Sequence, residues 1–195
     1  SEPHFVVKAN IEGSDSLTFY LLKRGTAKMD TLSTALSKDG VFKMQGVVEY
    51  PEQVFLVAGN TRSRASFYIE NSEITITGKL DSLNVAVIEG SKTQDEYKSY
   101  LDLSKPLSDN MQSLGISYQA ARTANDTAQV RKIEDEAMSI EKDITNLQKE
   151  FIKNNPASFF TPNLIRSLSY DMSAEEIEGA VAALDTNVAK MQIVK

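Results

Sequence analysis

The side chains of this sequence that could do chemistry are carboxylates, hydroxyls and a single imidazole. The 27 Asp and Glu residues include two tight runs, Glu134-Asp135-Glu136 and Glu175-Glu176-Glu178. Paired carboxylates are what acid–base hydrolysis requires. Both runs fall in segments of helical spacing with polar neighbours, where a solvated helix face is the expectation and a dry acid–base site is not. His4 is the only histidine and lies near the N-terminus, so the many Ser and Thr hydroxyls have no other imidazole to act as their base. There is no cysteine, which excludes a disulfide framework, a thiolate nucleophile, a redox Cys-x-x-Cys and a cysteine zinc site together. No Gly-rich phosphate loop, Gly-x-Ser-x-Gly elbow, calcium-binding loop or zinc-ligand helix occurs. From its residues the chain has no catalytic, cofactor-binding or metal-ligating position, requires no cofactor and does not read as an enzyme.

Charge narrows the partners. The formal net charge is −6, with 9 basic and 11 acidic residues over positions 1–90 and 12 and 16 over the rest, so neither part offers a basic surface for phosphates. A nucleic-acid partner is therefore not expected, nor is binding to an anionic membrane through charge. No apolar run approaches the roughly 20 residues of a membrane span. The chain opens on Ser1-Glu2-Pro3-His4, as a mature or trimmed product would. The aromatics Phe5, Phe19, Tyr20, Phe42, Phe55, Phe67 and Tyr68 could form a glycan-stacking face. Most of them occupy alternating strand positions that should fill a core, and there is no Trp.

The elements that must position these residues fall into two regimes, 1–90 and 91–195. Seven of the nine glycines lie in the first. There, short runs rich in Val, Ile, Phe and Thr predict strands over 5–11, 17–23, 27–36, 41–49, 53–58, 65–70, 73–77 and 84–89. Asp39-Gly40 between two alternating runs is the strongest hairpin signal. Strands in this number, with no helix between them, predict an antiparallel β-sandwich. A break at Gly90-Ser91 then opens a helix, with Thr93 and Glu96 at capping-box spacing.

Beyond the break the period becomes helical. Leu103, Leu107, Met111, Leu114, Tyr118 and Ala121 form one seam, and Val130, Ile133, Ala137, Ile140, Ile144, Leu147 and Phe151 a second. Ala124-Asn125-Asp126 separates them, with Asp126 or Thr127 as N-cap, so the two helices should fold back as a long antiparallel hairpin. A dimeric coiled coil, hence a homodimer, is the competing arrangement. Pro156 suits the first turn of a helix over 157–170 with a kink or break at Pro162, and Ser173-Ala-Glu-Glu176 is a second capping box. Its helix should bury Ile177, Val181 and Leu184. The apolar ending Met191-Gln-Ile-Val-Lys195 reads as a cut before a further domain. The fold class is α+β.

Several segments carry a family resemblance. Phe5-Val-Val-Lys-Ala-Asn-Ile-Glu-Gly13, Lys38-Asp-Gly-Val-Phe-Lys-Met-Gln-Gly46, Phe67-Tyr-Ile-Glu-Asn-Ser-Glu-Ile-Thr-Ile76 and Val87-Ile-Glu-Gly-Ser91, leading into Tyr97-Lys-Ser-Tyr100, form one set. They resemble the domain of unknown function that precedes a thioredoxin-like domain in envelope thiol–disulfide oxidoreductases of certain Gram-negative bacteria. Phe151-Ile-Lys-Asn-Asn-Pro-Ala-Ser158 and Leu168-Ser-Tyr-Asp-Met-Ser173 resemble the helical connector of the same proteins. The resemblance implies export to the periplasm or outer envelope, a lipid anchor upstream of Ser1 as the only membrane link, and a downstream thioredoxin-like domain or a protein as partner. It also implies a non-catalytic accessory role, because the redox Cys-x-x-Cys belongs to the domain that would follow. A free-standing envelope protein that binds a glycan or peptide is the alternative.

Overall fold

The computed structural model describes residues 2–191. Strands β1 (Phe5–Glu12), β2 (Thr18–Arg24), β3 (Met29–Leu36), β4 (Val41–Gly46), β5 (Glu52–Ala58), β6 (Arg64–Ile69), β7 (Glu73–Lys79) and β8 (Val87–Glu89) are followed by five helices. These are α1 (Lys92–Thr123), α2 (Thr127–Asn154), α3 (Thr161–Ser167), α4 (Ala174–Ala182) and α5 (Thr186–Ala189). The chain is an α+β protein. It divides into two compact units, Ser1–Tyr97 and Lys98–Lys195, and the division falls inside α1.

The first unit is two four-stranded sheets, ordered β4-β1-β7-β8 and β3-β2-β5-β6. Alternation decides which face is buried. Phe5, Val7, Ala9 and Ile11 of β1 point inward with Phe42 and Met44 of β4 and Ile74 and Ile76 of β7. From the other sheet come Phe19, Leu21, Val54, Leu56, Ala58, Ala65, Phe67 and Ile69, and all join one core. The Phe19 and Phe42 rings stack across the two sheets with centroids 4.2 Å apart.

Three features depart from the expected antiparallel sandwich. First, β1 and β7 pair in parallel, Val6 opposite Glu73 through Glu12 opposite Lys79. A parallel pair needs a long crossover, and here the five intervening strands supply it without a helix. Second, Asp39 and Gly40 do form a tight turn, with φ of 52° and 83° and Lys38 and Val41 exchanging N–H···O bonds of 3.0 and 2.9 Å. The strands it joins nevertheless belong to different sheets, so the hairpin is one bridge long and carries the chain across the sandwich edge. Third, a 3-10 helix over Leu80–Val85 occupies the start of the expected last strand. Only Leu83 of it is buried; Val85 and Val87, the apolar signal for that strand, are exposed.

In the second unit the α1–α2 turn is closed by backbone groups. Asn125 sits at φ 54° and donates to the Arg122 carbonyl, while the Asp126 N–H reaches the Ala121 carbonyl at 3.0 Å. Asp126 then caps α2 by accepting from the Gln129 N–H at 3.1 Å. At the far end of the hairpin Tyr100 meets Phe151 edge-on at 5.5 Å, and Gln148 Nε2 donates to the Tyr100 hydroxyl at 2.9 Å. The start of α1 therefore meets the end of α2, which makes the pair antiparallel. Both seams are mostly half-buried, because each helix has one long neighbour to cover it. The α1 seam runs through Tyr100 and Ser104, and Leu103 is 59% exposed.

Pro156 precedes rather than opens the next helix. Thr161 Oγ1 donates to the Asn155 carbonyl at 2.5 Å across the intervening turns, and α3 starts at Thr161 with Pro162 in its first turn, where a missing N–H costs nothing. In α4, Ile177 and Val181 are half-buried; Leu184 is buried but lies past the helix end, and the four-residue α5 follows it. Positions 192–195, the end of the apolar Met191–Lys195 segment, lie outside the described residues.

Candidate functional site

The buried Ser14 and Ser37 hydroxyls, 3.0 Å apart, tie down the turn before β2, and two further places, one in each unit, bring polar side chains together. In the first, a hydroxyl–amide–carboxylate knot ties the first turn of α1 to β6. Ser91 is fully buried; its Oγ donates to the Tyr68 carbonyl at 2.7 Å and accepts the Gln94 N–H at 3.2 Å. Ser91 is thus the helix cap, and its carbonyl accepts the Asp95 N–H at 3.0 Å. Gln94 reaches sideways, its Oε1 accepting the Tyr68 N–H at 2.9 Å, so it satisfies an edge-strand donor of β6. The Glu70 carboxylate accepts from the Lys92 N–H and, at 3.3 Å, from Thr93 Oγ1. A carboxylate over the first N–H groups of a helix is favoured by both the unfilled donors and the dipole. Thr93 and Glu96 do not form the expected capping box, because Thr93 is buried and turned toward Glu70.

The second place is a groove of about 330 Å³ in the helical unit. Its apolar lining is Ile152 near the end of α2, Met172, Gly179 and Ala180 on α4 and Ala183 just past its end; Lys149, Lys153 and Glu176 carry the charge. Glu176 is held from two sides. It accepts from the Ser173 N–H at 3.0 Å within a complete capping box, and Lys149 Nζ lies 3.5 Å away. These contacts, the Ser173 N–H first and the Lys149 charge second, hold its carboxyl below the usual carboxylate value. Small residues on α4 open the groove: a Cβ added at Gly179 would meet nothing within 4 Å.

The residues weighed from the sequence are not brought together. His4 is exposed, its Nδ1 3.1 Å from the Glu2 carbonyl. Glu134, Asp135 and Glu136 are exposed along α2, and Glu175 and Glu178 along α4. Among the described residues no group of three His, Asp or Glu is placed to hold a metal ion, and no helix is long and apolar enough to cross a membrane. Of the seven aromatics, Phe5, Phe19, Phe42, Phe67 and Tyr68 are buried, while Tyr20 and Phe55 face outward in part. The knot of Glu70, Ser91 and Gln94 went unread because its partners are 20 residues or more apart in sequence. The Gly90-Ser91 break was its one local sign.

The chain is thus defined as a β-sandwich carrying a helical unit at its C-terminal side in sequence. Residues 5–97, almost the whole first unit, match the model of a family described as a domain of unknown function (DUF4369). Neither curated proteins nor solved structures gave a match to the chain.

Proposed function

We propose that the chain is a non-catalytic accessory module of an exported thiol–disulfide oxidoreductase, which positions a following thioredoxin-like domain or binds that domain's partners in the periplasm. The observation that carries the reading is the knot at Glu70, Ser91 and Gln94. The most developed polar cluster of the first unit is used up in fixing the start of a long helix, which suits a part that holds another in place. The match of residues 5–97 covers most of the first set of segments that carry the family resemblance, and this too favours it. The test is the reading frame beyond Lys195 together with turnover of its full product. The expected frame continues into a strand, a Cys-x-x-Cys and a helix. Removing the module should then leave reduction of a small disulfide reagent unchanged and slow reduction of a protein disulfide. A frame without that pattern ends the redox reading.

The groove beside α4 favours a second reading, a free-standing envelope protein that holds a small glycan or peptide. A ligand found by thermal-shift screening, and lost on filling the groove with Gly179→Leu, would favour it over the first.

A further inference from the structure

A sandwich has two outer faces, and here they differ in kind. On the β4-β1-β7-β8 sheet the outward positions are mostly polar, including Lys8, Asn10, Lys43, Gln45, Thr75 and Thr77, and the outward Val6, Val41 and Val87 are each set opposite a polar residue, Gln45, Asn10 and Thr77. On the other sheet the outward positions of β2 and β5 include Tyr20, Leu22, Phe55 and Val57, with Thr18, Arg24 and Gln53 at their ends, in strands whose alternate residues Phe19, Leu21, Val54 and Leu56 fill the core. The register sets Tyr20 opposite Val57 and Leu22 opposite Phe55, so the four form one contiguous apolar block. Tyr20 is 37% exposed and the other three are half-buried.

Two arginines flank the block. Arg24 lies over the Phe55 ring, its guanidinium carbon 6.0 Å from the centroid, and Arg64 pairs with Val57 from β6. They sit about 13 Å apart along the strands and two strand spacings across. Among the described residues, no Asp or Glu takes an outward position on β2, β5 or β6. Asp30 and Glu52 lie beside Lys23, whose side chain alternates to the opposite face. A carboxylate-free apolar block with two guanidinium groups is unusual in a chain of net charge −6.

We propose that this face docks an acidic protein segment: apolar side chains on the Tyr20–Phe55 block, carboxylates on Arg24 and Arg64. Planar guanidinium groups match carboxylates in fork geometry, and aromatic residues with arginine are the typical anchors of protein contacts. A sugar is disfavoured as occupant, because Leu22 and Val57 offer it no hydrogen bonds and the nearby Gln53 amide already donates to Ser66 Oγ at 2.8 Å. A second copy joined face to face would set arginines against arginines. The inference rests on the chain being an interaction module, and not on its link to a redox domain.

The test is a displayed library of random dodecapeptides selected on the whole chain, with the enriched peptides then synthesised and titrated. Enriched peptides should combine Asp or Glu with Leu, Phe or Tyr. Their Kd should weaken about tenfold or more in R24E/R64E and several-fold between about 50 mM and about 300 mM salt. Tyr20→Ser should weaken it independently, with the unfolding midpoints of all variants close to that of the parent chain. No enrichment, peptides without acids, an affinity unchanged in R24E/R64E, or uronate oligosaccharides binding the face in place of peptides each overturn the proposal. A frame lacking Cys-x-x-Cys would remove the redox reading and leave this result standing.

Discussion

At the scale of single residues, two glycines show how local surroundings set the sign of a substitution. Gly90 has φ +97°, and a Cβ there would lie 2.0 Å from the Glu73 carbonyl oxygen, so backbone would have to move. Gly90→Ala should destabilise the chain by about 3 kcal/mol or more. Gly179, inside α4 with open space around it, should do the reverse: Gly179→Ala should stabilise by about 0.5–1 kcal/mol. Urea unfolding of both variants checks the pair. Next to Gly90, Ser91→Ala would strip the Tyr68 carbonyl and the Gln94 N–H of a buried partner and should cost about 1–3 kcal/mol. The carboxylates give a pH dependence. Glu73, through the Lys8 hydrogen bond first and its charge second, and Glu176, through the Ser173 N–H and then Lys149, both titrate below 4.5 in the folded chain. A lowered folded value contributes stability above the unfolded value, and that contribution is lost as pH falls through the folded one. The unfolding midpoint of E176Q should therefore fall below that of the parent chain at neutral pH and converge with it once pH has fallen through the lowered folded value, both followed by urea titration.

At the scale of elements, the strands were legible because alternation and burial coincide. Phe5, Val7, Ala9 and Ile11 are a two-residue period in the sequence and a buried row in the fold. What could not be read is what the period does not encode. Nothing local says that β1 and β7 run parallel, or that the Asp39-Gly40 turn joins strands of different sheets; the two sheets meeting in one core decide both. Cap assignment failed for a similar reason: Thr93 has the right spacing to Glu96, but burial against Glu70 takes its hydroxyl elsewhere. By contrast Ser173 and Glu176, on an exposed helix start with no competing partner for the hydroxyl, form the capping box their spacing indicates. Pro106 lies inside α1, one turn beyond Asp102. It lacks the N–H that would reach the Asp102 carbonyl, in a helix that nonetheless runs from Lys92 to Thr123. Pro106→Ala should restore that bond and raise the unfolding free energy by about 1–3 kcal/mol, with helical circular dichroism retained.

At the scale of the whole molecule, the question is where an independently stable part ends. The change from strand to helix comes at Gly90-Ser91, yet the compact first unit runs to Tyr97 and the family match ends at the same residue. Ser91, the cap, and the six helical residues that follow it to Tyr97 belong to the sandwich in their contacts. Ser91 and Gln94 satisfy the Tyr68 carbonyl and N–H, Glu70 takes up the N–H of Lys92, and the Tyr97 ring packs on Tyr68 at 5.2 Å. A fragment cut at residue 90 would leave Tyr68 and the β6 edge open to water and expose its apolar ring surface. Two lost buried hydrogen bonds and one uncovered aromatic ring together should cost about 3 kcal/mol or more. A fragment of residues 1–97 should accordingly unfold in one cooperative urea transition, while a fragment of residues 1–90 should have a far lower midpoint or none. Equal midpoints would mean that the first turn of α1 contributes nothing to the sandwich and that the knot of Glu70, Ser91 and Gln94 does not fix this helix in place.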